Sequence, residues 1–120
     1  MRILFAGNKH RGVACLRALV DAGHDIAGVV AHPGNSAPGS VAQAATALRL
    51  PVFTPRRVND ADTLSTFAAL KVELIVLAGY SQIVGERFLA LAPHGCINLH
   101  AGKLPEYRGS SPMNWALING

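Results

Sequence analysis

The chain has 120 residues, which allows one domain at most, with about two thirds of its unfolded surface buried on folding. Half of the residues are hydrophobic and only 15% are charged, which argues against disorder and indicates a buried α/β core. Eleven Lys and Arg against seven Asp and Glu give a formal net charge of +4. This excess suits an anionic ligand such as a phosphate, a diphosphate or a nucleic acid, but chance explains it equally well.

The chain carries no pattern typical of export, membrane insertion or metal binding. The apolar run in MRILFAGN is too short for a signal peptide, and no run approaches transmembrane length. Cys15 and Cys96 have no His or second Cys at metal-ligand spacing. We therefore expect two buried, reduced thiols in a cytoplasmic protein without a metal or a membrane partner.

Apolar runs separated by Gly, Pro and polar residues predict alternating strands and helices. We expect strands at Arg2–Ala6, Ile26–Ala31, Val52–Phe53, Glu73–Ala78 and Cys96–Leu99. Helices are predicted over Val13–Val20, Val41–Leu50, Leu64–Leu70 and Val84–Leu91, with turns at Gly7–Gly12 and Gly79–Gln82 and loops at His32–Gly39 and Thr54–Asp60. Gly23 is a candidate C-cap of the first helix, and Asp60 or Asp62 caps the third.

This order predicts an α/β fold with an open parallel sheet and right-handed crossovers. Ligands bind such sheets at the carboxyl ends of the strands. These ends carry Gly7–Arg11, His32–Pro38, Thr54–Arg57, Gly79–Gln82 and Asn98–Arg108, so polar and basic residues concentrate along one edge.

Two common nucleotide-binding motifs are absent. Gly7 and Gly12 match the first half of a phosphate loop, but Val13 and Ala14 stand where Lys and Ser or Thr should follow. A G-x-G-x-x-G fingerprint is also missing. An ordinary ATP or NAD site is therefore excluded, whereas the parallel sheet is retained.

The stretch HGCINLHAGKLPEYRGSSPMNWALING, from His94 to Gly120, contains the strongest candidates for chemistry. Strand alternation places Asn98 and His100 on the same side, with Leu99 turned the other way. A basic Gly- and Pro-containing loop follows, and a helix is expected from Pro112 with Ser111 as its cap. An amide can donate to an oxyanion and an imidazole can move a proton, so the pair suits chemistry on a carbonyl.

This stretch resembles the N10-formyltetrahydrofolate-dependent formyltransferases. Their pattern is N-x-H, then a loop of the type S-L-L-P-x-Y/W-R-G, then a Pro-led helix, and it is matched here by Asn98, His100, Leu104–Pro105, Tyr107–Gly109 and Pro112. LPVFTP and ELIVLAGYSQIV extend the similarity over the whole chain. Tyr107 and PMNWALING are most similar to formyltransferases of nucleotide-linked amino sugars, such as the lipid A aminoarabinose type. Methionyl-tRNA formyltransferases more often have Trp-Arg-Gly.

The resemblance implies a Rossmann-like domain in which an amine attacks the formyl carbon of N10-formyltetrahydrofolate. Asn98 and His100 would hold the oxyanion, and His100 or a water that it positions would handle the proton transfers. The backbone of Gln82, Ile83 and Val84 would line the pterin pocket. Tyr80 either stacks on the folate or packs in the core.

The remaining candidates follow from the same resemblance or, for the run Lys9–His10–Arg11, from a position at a strand end. Ser110 stands where close sugar-modifying relatives carry an Arg on the folate side, and Lys103 would supply a replacement charge. On the substrate side we assign Tyr107 and Arg108, although Arg108 could instead clamp its own loop. The run Lys9–His10–Arg11 is either an anion site at a strand end or a solvated loop.

The family's third catalytic residue, an Asp, lies beyond the N-x-H motif. We therefore interpret residues 1–120 as the N-terminal part of a formyltransferase catalytic domain that stops before this Asp. The main hypothesis is formylation of a nucleotide-linked amino sugar. The alternatives are formylation of methionyl-tRNA, which adds a nucleic-acid partner, and a truncated folate- or nucleotide-binding module. A homodimer is left open.

Overall fold

The computed structural model describes residues 1–34 and 38–99, and within them strands and helices alternate. The strands are β1 (Arg2–Gly7), β2 (Asp25–Val30), β3 (Val52–Phe53), β4 (Leu74–Ala78) and β5 (Cys96–Leu99). The helices are α1 (Lys9–Asp21), α2 (Val41–Ala47), α3 (Ala61–Ala68) and α4 (Glu86–Leu89). All five predicted strands are confirmed, with ends that differ by at most one residue.

The strands form one parallel sheet in the order β3-β2-β1-β4-β5, which confirms the predicted fold class. β1 lies at the centre of the sheet, with β2 and β3 on one side of it. The chain then crosses to the other side of β1, where β4 and β5 are added. The direction in which successive strands are added therefore reverses between β1 and β4. In open parallel sheets, the crevice at the carboxyl ends of the strands at such a reversal is the usual ligand site.

The alternation of β1 divides the core into two layers. Ile3 and Phe5 pack with Leu16 of α1 and Val41 of α2 on one face of the sheet. The opposite layer contains alternate residues of β1 and the side chains of the other two helices, including Leu4, Ala6, Leu64, Phe67, Phe88 and Cys96. Edge-to-face ring contacts join Phe67 to Phe53 and to Phe88 at centroid distances of 5.4 Å and 6.0 Å. Both faces of the sheet are thus covered, as a parallel sheet requires.

The predicted turn at Gly7–Gly12 is wrong. Gly7 ends β1, and α1 already begins at Lys9, so Gly12 lies inside the helix. A Cβ atom on Gly12 would stand 2.8 Å from Cγ2 of Val41 and 3.4 Å from the carbonyl oxygen of Ala78. Gly12 therefore allows α1 to approach its neighbours closely, and it does not form a turn.

Helix ends account for the other differences from the sequence predictions. Gly23, at φ +89°, follows the cap residue Ala22 and ends α1 in a left-handed conformation. The second helix stops at Ala47 and the fourth covers only Glu86–Leu89, so both are shorter than predicted. Asp60 occupies the N-cap of α3 without a side-chain hydrogen bond to the helix.

Some predictions fall on other parts of the chain. The helix expected at Pro112, with its cap Ser111, lies outside the described residues. In the part that is described, no helix has the length and apolar character needed to cross a membrane.

Candidate functional site

A cavity of about 810 Å³ lies at the reversal between β1 and β4, on the carboxyl edge of the sheet. The start of α1 forms one wall with Asn8, Lys9 and Arg11, and the segment after β4 forms the next. The end of β5 closes the third side. The described residues that line the cavity are Asn8, Lys9, Arg11, Cys15, Leu77, Ala78, Gly79, Tyr80, Ser81, Gln82, Ile83, Val84, Leu89, Asn98 and Leu99.

Asn98 is half-buried near the end of β5, where its register partner is Leu77 of β4. Both residues line the cavity, so the structure brings the predicted catalytic amide to the same space as the predicted folate residues. Leu99, 45% exposed, borders the cavity too. The predicted alternation therefore does not turn Leu99 away from this space.

The start of α1 is tied directly to β4. The backbone N–H of Asn8 donates to the carbonyl oxygen of Ala78 at 3.2 Å, and the Asn8 side chain accepts from the N–H of Lys9 at 3.0 Å. Lys9 has a φ of +58°, a left-handed conformation that costs a non-glycine residue about 1 kcal/mol. Sequence reasoning did not single out Asn8, although Asn is a preferred N-cap residue and could have identified the helix start.

Two of the three residues in the run Lys9–His10–Arg11 line the cavity. His10 is exposed and does not. Among the residues that the structure describes, the ion pair found is Arg2–Asp25, at the opposite edge of the sheet, and neither Lys9 nor Arg11 forms one. Two cationic side chains therefore line the cavity without an ion pair to any described residue.

The Gln82 side chain has a role that the sequence did not predict. Its Oε1 accepts from the N–H of Val58 at 2.8 Å, and its Nε2 donates to the carbonyl oxygen of Pro55 at 2.9 Å and to the Tyr80 hydroxyl at 3.2 Å. The amide thus joins the segment after β4 to the loop between β3 and α3. Tyr80 packs against the core as well as lining the cavity, which supports the packing alternative without excluding ligand contact.

The tip of the same segment is held from the same loop. Asn59 hydrogen bonds to the carbonyl oxygen of Ile83 at 2.9 Å and accepts from the N–H of Gly85 at 2.8 Å. The Ile83 side chain is 88% exposed although it is large and apolar. Asn59 was also missed, because an exposed loop Asn has no distinguishing signal until the tertiary contacts are known.

Burial raises the pKa of three weak acids. The pKa of the Tyr80 phenol rises to about 12, and so does that of the Cys96 thiol. The pKa of Cys15 is also raised. Cys96 is buried as predicted, but Cys15 is only half-buried because it faces the cavity. Both thiols stay protonated near neutral pH, so neither is an activated nucleophile.

A contact between two loops and the lack of a metal-binding group among the described residues further characterise this edge. Nδ1 of His32 lies 3.1 Å from Oγ of Ser81, which joins the loops after β2 and β4. Within residues 1–34 and 38–99, no group of three or more His, Cys, Asp or Glu side chains is arranged to hold a metal ion. The predicted residues His100, Lys103, Tyr107, Arg108 and Ser110 lie outside the described residues.

Comparison with known proteins identifies the family. A family profile described as "Formyl transferase" matches residues 1–120. The methionyl-tRNA formyltransferase of Pelotomaculum thermopropionicum is 41% identical over 127 residues, covering 100% of this chain and 41% of that protein. The methionyl-tRNA formyltransferase of Alkaliphilus oremlandii is 40% identical over 129 residues with the same coverage. The chain thus spans about two fifths of the length of the curated relatives it matches.

Solved structures agree in fold. Phosphoribosylglycinamide formyltransferase from Anaplasma phagocytophilum superposes with a TM-score of 0.67 at 24% sequence identity, covering 89% of this chain and 52% of that one. The profile match over all 120 residues, together with relatives near 40% identity, confirms the predicted resemblance. The chain belongs to the formyl transferase family.

Proposed function

We propose that the protein transfers a formyl group from N10-formyltetrahydrofolate to the amino group of methionyl-tRNA. Several relatives at 39 to 41% identity are methionyl-tRNA formyltransferases, which supports this acceptor. Formylation of a nucleotide-linked amino sugar, the main hypothesis from the sequence, finds no support among these relatives. The alternative drawn from the same sequence is therefore preferred.

The cavity fits the folate donor by its size and lining. Its volume of about 810 Å³ falls in the usual range for small-molecule sites. Leu77, Ile83, Val84 and Leu89 supply apolar surface for a flat ring, and the peptide groups around Val84 can supply hydrogen bonds to its edge. When bound, the donor supplies the formyl group that is transferred.

The single observation that carries the proposal is the position of Asn98 on the wall of the same cavity as Ile83 and Val84. The amide N–H of Asn98 can donate to an oxygen on which negative charge develops during acyl transfer, and such a donor is worth about 10²-fold to 10³-fold in rate. His100, two residues further on, keeps its predicted role in proton transfer.

The acceptor must bring its amine to this cavity, where two of the lining side chains are cationic. Lys9 and Arg11 can contact phosphates there, and the net charge of +4 favours a polyanion. A tRNA offers many phosphates, so its binding should weaken steeply with salt. A cytoplasmic location stays a prediction that agrees with this acceptor.

The test is formyl transfer by the purified full-length protein. The protein would be incubated with N10-formyltetrahydrofolate and, separately, with initiator methionyl-tRNA and a panel of amino-sugar nucleotides. We expect formylated methionyl-tRNA as the product. Formylated product from an amino-sugar nucleotide alone would contradict methionyl-tRNA as the acceptor. Binding of tetrahydrofolate without transfer to any amine would favour a non-catalytic binding module.

A further inference from the structure

Asn59 reaches the cavity turn from a different part of the chain. It lies in the loop between β3 and α3 and does not itself line the cavity. Its Nδ2 donates to the carbonyl oxygen of Ile83 at 2.9 Å, and its Oδ1 accepts from the backbone N–H of Gly85 at 2.8 Å. One side-chain amide thus brackets Val84 with two hydrogen bonds of good length.

These two bonds fix the orientation of both peptide planes around Val84. In a trans peptide the C=O and the N–H point in opposite directions. The N–H of Val84 belongs to the same plane as the bonded carbonyl of Ile83, and the C=O of Val84 belongs to the same plane as the bonded N–H of Gly85. Both polar groups of Val84 are therefore held pointing away from Asn59.

The backbone N–H and C=O of Val84 are unpaired among the described residues. Within the described part of the chain, neither its N–H nor its carbonyl oxygen forms a hydrogen bond. Val84 is half-buried and lines the cavity. An adjacent donor and acceptor of this kind match the edge of a ring that carries an amide, which presents a complementary acceptor and donor.

Gly85 is matched to this arrangement. A Cβ atom added to Gly85 would stand 3.3 Å from Oδ1 of Asn59, closer than most Cβ contacts, and 3.6 Å from its Cγ, an ordinary contact distance. Its φ of −98° is open to any residue, so backbone freedom is not the reason for glycine at this position. The space beside Gly85 is occupied by the Asn59 amide.

We propose that Asn59 is a positioning residue for the folate donor, acting by aiming the free N–H and C=O of Val84 at the ring edge. This inference rests on the proposed function, because it assigns the ligand of the same cavity. Asn59 touches neither the donor nor the reacting atoms in this account. Its effect should therefore appear in the affinity for the donor and not in the chemical step.

The test measures steady-state kinetics of the full-length protein with the donor and the amine acceptor varied separately. Asn59→Ala should raise KM for N10-formyltetrahydrofolate about tenfold, as expected when one hydrogen bond between Val84 and the donor is lost. We expect kcat to stay within about threefold and the acceptor KM to be unchanged. Gly85→Ala, which displaces the amide without removing it, should show the same selective rise. Asp60→Ala, at an exposed neighbour whose side chain makes no capping hydrogen bond to α3, is the matched control and should change neither KM.

Asn59→Asp separates the two bonds. An ionised carboxylate still accepts from Gly85 N–H but cannot donate to Ile83, so hydrogen exchange at Gly85 should stay slow while the donor KM rises. An unchanged donor KM in Asn59→Ala, or a fall in kcat with both KM values unchanged, would overturn the inference while leaving the proposed function intact. An unmutated protein without formyl transfer would overturn the proposed function, and the inference with it.

Discussion

Polar groups at the two edges of the sheet differ in whether they are paired with other described residues. At the amino edge, Arg2 donates to a carboxylate oxygen of Asp25 at 2.8 Å and to the carbonyl oxygen of Leu70 at 2.7 Å, and its N–H bonds to Glu73. At the carboxyl edge, Lys9 and Arg11 border a cavity and form no ion pair with any described residue. Polar groups that satisfy one another stabilise a fold, whereas those left open can bind a ligand.

The backbone at the carboxyl edge is nevertheless held in place by side-chain hydrogen bonds. The amides of Gln82 and Asn59 hold the segment after β4 against the neighbouring loop through bonds of 2.8 to 3.2 Å. Among the described residues, no hydrogen bond is made to the N–H or C=O of Val84, which lines the cavity. The carboxyl edge thus combines fixed backbone with open functional groups, which is the arrangement a preorganised site requires.

Asn98→Ala should have the largest effect, because it removes the amide donor from the cavity wall. We expect kcat for formyl transfer to fall by about 10²-fold, with little change in the melting temperature since Asn98 is only half-buried. Initial rates of formyl transfer at saturating donor and acceptor would measure kcat, and thermal unfolding would measure the melting temperature. A rate within threefold of the unmutated protein would remove Asn98 from the chemistry.

Arg11→Ala tests whether the open charges at the carboxyl edge bind the acceptor. The acceptor KM should rise by on the order of tenfold at low salt, and its dependence on salt should weaken. Arg17 lies on the same helix, is exposed and does not line the cavity, so Arg17→Ala is the matched control. Equal effects of the two substitutions would mean that only overall charge matters.

Arg2→Ala tests the opposite edge. The ion pair with Asp25 is well exposed and contributes little, so most of the expected loss of about 1 kcal/mol comes from the bond to the Leu70 carbonyl. Chemical denaturation would measure this loss in free energy of unfolding. KM values that changed together with stability would contradict the separation of the two edges.

Alkaline pH tests the burial of the Tyr80 phenol at the carboxyl edge. Burial raises the Tyr80 pKa from 10.0 to about 12, so the neutral phenol is favoured in the folded state. Its stabilising contribution is complete below pH 10 and is lost as the pH rises toward 12. Unfolding free energies measured across this window should fall less steeply for Tyr80→Phe. Cys96 shifts in the same direction in both proteins, so an unchanged slope would contradict the contribution of Tyr80.

The strands could be predicted because their signal is local. Runs such as Leu74–Ala78 are continuously apolar, as a strand covered on both faces must be. Gly12 was misinterpreted as a turn residue because the contact that requires glycine there is long-range. A Cβ atom on Gly12 would meet the side chain of Val41 in another helix. The order of the strands was likewise not predicted, since every order of a parallel sheet buries the same apolar runs.

Part of the cavity lining could be predicted because β4 and β5 end at this edge of the sheet, whereas the catalytic and folate-binding roles of these residues stay predictions. Asn98 lines the cavity because β5 ends there, and Ile83 and Val84 do so because β4 does. The roles of Asn59 and Gln82 could not be read from the sequence. Each depends on hydrogen bonds across 24 or more positions of the chain, between loops that only the folded sheet brings together.

Hydrogen exchange of the full-length protein with and without tetrahydrofolate tests most directly whether the carboxyl edge binds the folate. The account predicts slower exchange at residues 79–85 and at Asn98 and Leu99, with Arg2, Asp25 and Leu70 unchanged. Protection at the amino edge, or binding that leaves residues 79–85 unprotected, would contradict it.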